Sequence, residues 1–173
     1  MSGQLRFIAD VMLGSLAKWL RILGFDTSYF RTIDDNEIIR IAKQEQRVLL
    51  TRDTRLVKSK KVSKHILIKA NDMPGQLKEV LKSLPLAPHG SSTCPLSLPF
   101  TRCSKCNGEL EFSDKESVSG NVPEHVFLNF DSFLRCGDCG KVYWEGSHKK
   151  LIDGQIRKVL GEIDTHWKIS GNG

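Results

Sequence analysis

Short apolar runs alternate with amphipathic segments through the first half of the chain. An apolar run at residues 5–9 ends at Asp10, and apolar positions then recur at helical spacing from Met12 to Leu23, just before Gly24. The same order repeats, with further strands predicted at residues 27–30, 47–51 and 65–69 and further helices at residues 34–46 and 74–84. Strands that alternate with helices indicate βαβ crossovers, so we expect an α/β fold: a parallel sheet sandwiched by helices.

The second half carries two Cys-x-x-Cys pairs separated by 29 residues: Cys103 and Cys106, then Cys136 and Cys139. Four thiolates in this pattern are typical of a tetrahedral zinc site. Because the protein fills all four positions, we expect a structural Zn²⁺ in a small zinc ribbon. The interval exceeds the roughly 15–20 residues that are common, and it favours an inserted hairpin within residues 115–129.

Composition divides the chain into two parts. The segment LPLAPHGSSTCPLSLPF is rich in Pro and Ser and poor in charge, which is typical of a linker. We therefore predict a first domain at residues 1–85, a linker at residues 86–100, and a zinc ribbon with a C-terminal helix at residues 101–173. With 39% apolar residues in 173, wholesale disorder is excluded. Cys94, within the linker, is interpreted as a free thiol.

Targeting signals are not evident in the sequence. The start MSGQLRFIAD lacks the pattern of a secretory signal, and no stretch approaches the roughly 18 apolar residues that a membrane span needs. We expect a cytoplasmic protein without a membrane partner. Thiols stay reduced in that compartment, which favours metal ligation over disulfides.

Acidic residues follow the predicted strands. Asp10 follows the first strand, Asp35 the second and Asp53 the third. The carboxyl ends of parallel strands share one edge of a sheet, where ligands of such folds bind. Clustered carboxylates repel one another, so a divalent cation such as Mg²⁺ or Mn²⁺ is expected among them. Such a site suits phosphodiester hydrolysis by an activated water.

Helix capping is the alternative interpretation of these acids. Asp34 precedes Glu37 by three residues, as in a capping box, and Asp72 precedes Pro74 at the start of a predicted helix. Asp10 and Asp53 lie within two residues of an apolar strand and are harder to explain as caps. Asp35 is intermediate between these two cases.

Positive charge is concentrated in the first half of the chain. The net charge is +6, and residues 1–85 hold 16 basic and 9 acidic side chains. Lys and Arg contacts with phosphates give sequence-independent affinity for nucleic acid. A solvated charged face is the alternative. RNA-binding candidates cluster directly around Asp53: Arg52, Arg55, Lys58, Lys60 and Lys61.

Several of these segments together resemble a known family. The runs FIADVMLGSLAKWLRILGFDT, DDNEIIRIA, RVLLTRD and CGDCGKVYWEGSH are similar to the PIN-like ribonuclease domain with attached zinc ribbon of the mutator-seven C-terminal (Mut-seven-C) RNase family. The resemblance covers about residues 5–150. It implies a PIN-like α/β fold, metal-dependent RNA hydrolysis, and acidic active-site positions that match Asp10, Asp35 and Asp53.

Three functions are compatible with these patterns. We expect a metal-dependent ribonuclease, in particular an endoribonuclease, with RNA as its partner. A non-catalytic RNA- or ribosome-binding zinc-ribbon protein is the alternative. A phospho-receiver is disfavoured because only four strands precede the linker. The sequence leaves open a homodimer and an inhibitor protein.

Overall fold

The structure is a computed structural model that describes residues 5–58, 62, 64–84, 100–146, 152, 154–156 and 158–159. Several predictions fall outside the described residues: the RNA contacts of Lys60 and Lys61, the free thiol of Cys94, and the linker up to residue 99.

The first half forms one parallel sheet. Its strands are β1 (Arg6–Ala9), β2 (Asp26–Tyr29), β3 (Val48–Thr51) and β4 (His65–Leu67), in the order β2-β1-β3-β4. The connecting helices are α1 (Gly14–Ile22), which follows a 3-10 turn at Val11–Leu13, then α2 (Asp35–Gln44), α3 (Thr54–Lys58) and α4 (Met73–Lys82). The predicted α/β class is confirmed.

Helices cover both faces of this sheet, because β1 is apolar on both sides. Phe7 and Ala9 pack in one cluster with Leu20 of α1 and Val80 of α4. Ile8 faces the opposite layer, where it packs with residues of α2, β3 and α3: Ile38, Ile39, Ala42, Leu49 and Leu56. A parallel strand enclosed on both faces is expected to be apolar at successive positions.

Side-chain caps fix the starts of α2 and α4, and close packing of Tyr29 on Gly14 fixes the start of α1. The side chain of Asp34 accepts hydrogen bonds from the backbone amides of Asn36 and Glu37, so it caps α2, and Asp72 caps α4 through the amide of Gly75. At the start of α1, a Cβ on Gly14 would lie 2.8 Å from the ring of Tyr29. The absence of a side chain there allows Tyr29 to reach the 3-10 turn.

The second half forms an antiparallel sheet in the order β5-β6-β7. Its strands are β5 (Leu110–Ser113), β6 (Phe133–Cys136) and β7 (Val142–Trp144). The hairpin predicted within residues 115–129 is wrong, because this interval holds a 3-10 turn at Glu116–Val118 and the helix α5 (Glu124–Asn129). Val122, Val126 and Phe130 recur every four residues and pack in the ribbon's own cluster, which is helical rather than strand spacing.

The tail returns to the first sheet. The described residues between 152 and 159 are helical, and Ile156 and Val159 are buried in the cluster that contains α1 and α4. Ile152 packs partly buried against the same cluster. Within the described part of the chain, no helix combines the length and the apolar character required for a membrane span.

Helix α1 should depend strongly on its buried leucines. Leu20 is 0% exposed, so we expect Leu20→Ala to lower the free energy of unfolding by about 2–5 kcal/mol, through lost burial and the cavity left behind. Urea unfolding followed by circular dichroism measures this change. Leu128→Ala is the control, since Leu128 is 69% exposed on α5; equal losses in both variants would contradict the packing described here.

Candidate active site and cysteine centre

Asp10 extends the pairing of β1 by one residue. Its backbone amide donates to the carbonyl oxygen of Leu50 at 2.9 Å. The carboxylate is half-buried and held at both oxygens: Oδ1 accepts from the amide of Val11 at 2.6 Å, and Oδ2 accepts from the hydroxyl of Thr51 at 2.7 Å. The Asp10 side chain therefore has a fixed position at the carboxyl edge of the sheet.

Thr51 joins the ends of the two central strands. This last residue of β3 is 0% exposed. Its Oγ1 donates to Asp10 and accepts from the backbone amide of Asp53 at 3.0 Å. Sequence analysis did not identify Thr51 as a site residue. The available signal was a hydroxyl-bearing, β-branched residue at the end of a strand, two positions before a candidate acid.

Asp53 is paired with Arg55. Its Oδ1 accepts from the backbone amide of Arg55 at 2.7 Å, and its Oδ2 lies 3.2 Å from Nη2 of the guanidinium. These hydrogen bonds, from the side chain first and then from the backbone, hold the pKa of the Asp53 carboxyl below its usual value. Asp53 is therefore an anion at neutral pH, and Arg55 is its counterion.

Asp35 is the first residue of α2. This helix follows β2, which pairs with β1 on the side opposite to β3. It is exposed, and it lies in the first helical turn after the capping residue Asp34. The pKa of Arg55 is raised mainly by its hydrogen bond to Asp53, and the negative charge of Asp35 adds to this shift. Arg55 therefore lies within the electrostatic field of both candidate acids.

Topology brings the three predicted acids to one edge without forming a closed ligand shell. Asp10 and Asp53 are linked through Thr51. The carboxylate oxygens of Asp10, Asp35 and Asp53 are not all within 4.8 Å of one another. Of the side chains that the structure describes, the four cysteines are the group of three or more metal-ligating residues close enough to share an ion. The carboxylate edge still offers the hard oxygen donors that Mg²⁺ and Mn²⁺ prefer.

The described basic candidates occupy the same edge. Arg52 donates to the side-chain oxygen of Asn71 at 2.5 Å and so connects the loops after β3 and β4. The side chain of Arg55 is 89% exposed, and Lys58 is exposed at the end of α3. Arg55 therefore lies beside Asp53, and RNA contact by the basic group stays a prediction.

The four cysteines converge at the end of the ribbon. Their Sγ atoms all lie within 4.8 Å of one another, and none of the four forms a disulfide. Both pairs use the same turn: the amide of Asn107 donates to the carbonyl of Cys103 at 2.9 Å, and that of Gly140 to the carbonyl of Cys136 at 3.0 Å. Asn107 and Gly140 both have positive φ, 76° and 70°. This cluster could hold a metal such as zinc.

The thiols differ in their ease of ionisation. Burial opposes ionisation of Cys103, but hydrogen bonds from the Tyr143 hydroxyl and from backbone amides outweigh it and lower its pKa to about 6. Burial and the neighbouring thiols raise the pKa of Cys106 to about 12. Only a strong positive charge among the sulfurs, as a metal ion supplies, would keep all four as thiolates.

A comparison with protein-family models matches residues 5–156 to the model described as Mut7-C RNAse domain. The chain belongs to the Mut7-C RNase family. The match spans both the parallel sheet and the cysteine centre, so the family resemblance stated from the sequence is confirmed. No curated protein and no solved structure matches the chain.

In this Mut7-C RNase chain, the first cysteine turn is docked on the edge strand β2. Asn107 accepts from the backbone amide of Thr27 at 2.9 Å and donates to Oδ1 of Asp26 at 2.7 Å. The buried Arg21 donates to the carbonyl of Thr27 at 2.8 Å and to that of Lys105, within the turn, at 3.0 Å. The sequence did not predict that Arg21 and Asn107 form this contact, because they lie more than 80 positions apart.

The docked turn also contributes to the charge state of Asp26. Burial opposes its ionisation, but hydrogen bonds from Arg47 and Asn107 outweigh burial, so the pKa of the Asp26 carboxyl lies below its usual value. Nη1 of Arg47 lies 2.7 Å from Oδ1 of Asp26. The contact between the two sheets therefore includes a hydrogen bond from Asn107 to a carboxylate that is already paired with Arg47.

Hydrogen exchange at the amide of Thr27 should report on this docking. We expect Asn107→Ala, or treatment with a chelator that removes any metal held by the cysteines, to speed exchange of that amide, because its acceptor is lost or displaced. Mass spectrometry or NMR of the folded protein measures the rate. The amide of Leu49, bonded within the sheet to Lys64, should keep its protection.

The matched control for this experiment is Asn121→Ala, at an exposed asparagine of the ribbon loop. Unchanged exchange at Thr27 after both Asn107→Ala and metal removal would rule out the docking contact in solution.

Proposed function

We propose that this Mut7-C RNase is a metal-dependent endoribonuclease in which Asp10, Asp35 and Asp53 bind Mg²⁺ or Mn²⁺. The observation that carries the proposal is the hydroxyl of Thr51, which holds Asp10 and fixes the loop of Asp53 at the shared strand edge. Rigid positioning of acids by buried partners is characteristic of a site that must hold its geometry. A purely capping role requires no such link between neighbouring loops.

The chain's own residues have separable tasks in this proposal. Asp10 and Asp53 present oxygens from adjacent strands, and Asp35 presents one from the first turn of α2. A divalent cation held by these oxygens would supply an activated water and would neutralise charge on the scissile phosphate. Arg55 exchanges its pairing with Asp53 for the incoming phosphate, which its exposed guanidinium can reach.

RNA contacts and the structural metal complete the proposal. Arg52 and Lys58 contact backbone phosphates of the RNA, and Lys60 and Lys61 extend this basic group along the chain. Cys103, Cys106, Cys136 and Cys139 hold a structural Zn²⁺, because thiolate sets of this kind leave no position open for a substrate.

Cleavage of labelled RNA in Mg²⁺, Mn²⁺ or EDTA tests the proposal. We expect cleavage by the zinc-loaded protein in Mg²⁺ or Mn²⁺ and none in EDTA. Asp10→Asn, Asp35→Asn and Asp53→Asn should each reduce the rate by roughly 100-fold or more, since even outer-shell partners of a metal contribute about 10–100-fold. Asp34→Asn is the matched control, because Asn caps a helix as well as Asp does.

A circular RNA separates internal from terminal cleavage, because it has no ends and an endonuclease must open it. Binding of RNA without cleavage in any metal would instead support the non-catalytic RNA-binding alternative. If Asp34→Asn and Asp35→Asn reduced the cleavage rate equally, Asp35 would have no specific role in the site.

Thr51 should act as a positioning residue. Thr51→Val keeps the shape of the side chain but removes the hydroxyl, so we expect a rate lower by about 10–100-fold and a higher metal concentration for half-maximal activity. Thr51→Ser retains the hydroxyl and should restore both. Identical metal titrations for the Val and Ser variants would contradict this role.

A further inference from the structure

Arg21 is a buried cation that lacks the usual kind of partner. It lies in the last turn of α1 and is 6% exposed. In the part of the chain that the structure describes, its guanidinium forms no ion pair with an Asp or a Glu. Buried arginines are normally paired, because moving an unpaired charge out of water is costly. Arg21 therefore needs another source of negative charge.

The hydrogen bonds of Arg21 direct it to the first cysteine turn. Its Nε donates to the carbonyl of Thr27 in the edge strand β2 at 2.8 Å. Its Nη1 donates to the carbonyls of Lys105 at 3.0 Å and Ser104 at 3.4 Å. These are the two residues between the cysteines of the first pair. One side chain thus contacts both the parallel sheet and the loop that carries two candidate metal ligands.

The main negative charge near Arg21 comes from the cysteine sulfurs. The three carbonyl acceptors are neutral, so they do not balance the charge of the guanidinium. Burial lowers the pKa of Arg21, and the charges of Cys103 and Cys106 oppose this shift more strongly than the charge of Asp26 does. Asp26 is already paired with Arg47, whose Nη1 lies 2.7 Å from its Oδ1. The position of Arg21 is therefore suited to an anionic cysteine centre.

A metal held by the four cysteines would make the centre anionic. Cysteine binds a metal as a thiolate, so binding releases protons, and four thiolates outweigh the charge of one divalent ion. A positive charge held against the first cysteine turn stabilises such a centre. Residues that act on a metal through its ligands in this way typically contribute about 10–100-fold to its affinity.

We propose that Arg21 is the charge partner of the cysteine centre, and that it couples binding of the metal to docking of the ribbon on β2. This inference rests on the structural metal of the proposed function and adds to its site a residue from outside the ribbon. Because such coupling is reciprocal, the metal strengthens docking by the same factor by which docking strengthens metal binding. Arg21 is a positioning residue in this role, since it acts through the cysteine turn.

Competition with a chromophoric chelator measures the zinc affinity of the full chain. We expect Arg21→Gln, which keeps a hydrogen-bond donor but removes the charge, to weaken zinc binding by roughly 10–100-fold. Arg21→Lys keeps the charge and should recover most of the affinity. Lys18→Gln is the matched control, because it removes a positive charge from an exposed position on the same helix and should leave the affinity unchanged. Equal zinc affinity of wild type and Arg21→Gln overturns the proposal.

Urea unfolding in excess Zn²⁺ and in chelator separates this role from simple support of α1. A cation is favourable in the last turn of any helix, whether or not a metal is bound nearby. In that case Arg21→Gln would lower the free energy of unfolding equally in both conditions. A charge partner predicts a larger loss in Zn²⁺, with a difference that matches the change in zinc affinity. Equal losses overturn the proposal.

Co²⁺ in place of Zn²⁺ shows whether the ligand set itself is intact. Four thiolates around Co²⁺ give a characteristic visible absorption spectrum. We expect Arg21→Gln to give the same spectrum as wild type, but only at higher Co²⁺ concentration. A spectrum that shows the loss of a thiolate ligand would assign Arg21 a purely structural role and overturn the proposal.

Hydrogen exchange at the amide of Thr27 measures the coupling to docking, since this amide donates to Asn107 of the first cysteine turn. Adding Zn²⁺ to metal-free wild type should slow this exchange. In Arg21→Gln, the same addition at saturating Zn²⁺ should slow it much less. An equal effect of Zn²⁺ on both proteins overturns the coupling.

Failure of this inference is distinguishable from failure of the proposed function. If wild type binds Zn²⁺ at the cysteines and Arg21→Gln binds it as tightly, the charge-partner role fails while the structural metal stands. If wild type binds neither Zn²⁺ nor Co²⁺ at the cysteines, both fail. The ribonuclease activity is judged separately by cleavage of RNA, and none of the measurements on Arg21 depends on it.

Discussion

Strand β1 is hydrogen-bonded to β2 on one side and to β3 on the other, and this double pairing controls the geometry of the candidate site. In this register, Asp10 lies next to Phe30, the residue after β2, and next to Thr51, the last residue of β3. A slip of one residue would turn Phe7 and Ala9 towards the opposite helical layer. Because both layers are apolar and closely packed, burial selects the register, and the register in turn selects which side chains meet at the edge.

Negative charge at this edge is tolerated through several local contacts. Arg55 neutralises Asp53, the Thr51 hydroxyl and a backbone amide solvate Asp10, and the N-terminus of α2 favours the acids of its first turn. In the proposed ribonuclease, binding of a cation to Asp53 would leave Arg55 free to pair with the substrate phosphate.

Local patterns in the sequence predict much of the fold, because hydrophobic period and capping are local. The strand and helix order, the cap at Asp34 and the convergence of four cysteines all follow from spacing over a few residues. Helix α5 was not predicted, because the long interval between the cysteine pairs suggested a hairpin, although Val122, Val126 and Phe130 recur every four residues. The roles of Thr51 and Asn107 depend on partners 41 and about 80 residues away, and no local period encodes such pairs.

The docking of Asn107 on β2 also has a consequence for biosynthesis. In the chain as it emerges from the ribosome, β2 is complete some 80 residues before the side chain that covers its outer edge exists. Until then the nascent sheet presents an unpaired strand, which is the kind of surface that promotes association between chains. The first cysteine turn therefore covers the edge of β2 only late in synthesis, and a metal held by the four cysteines would stabilise that turn.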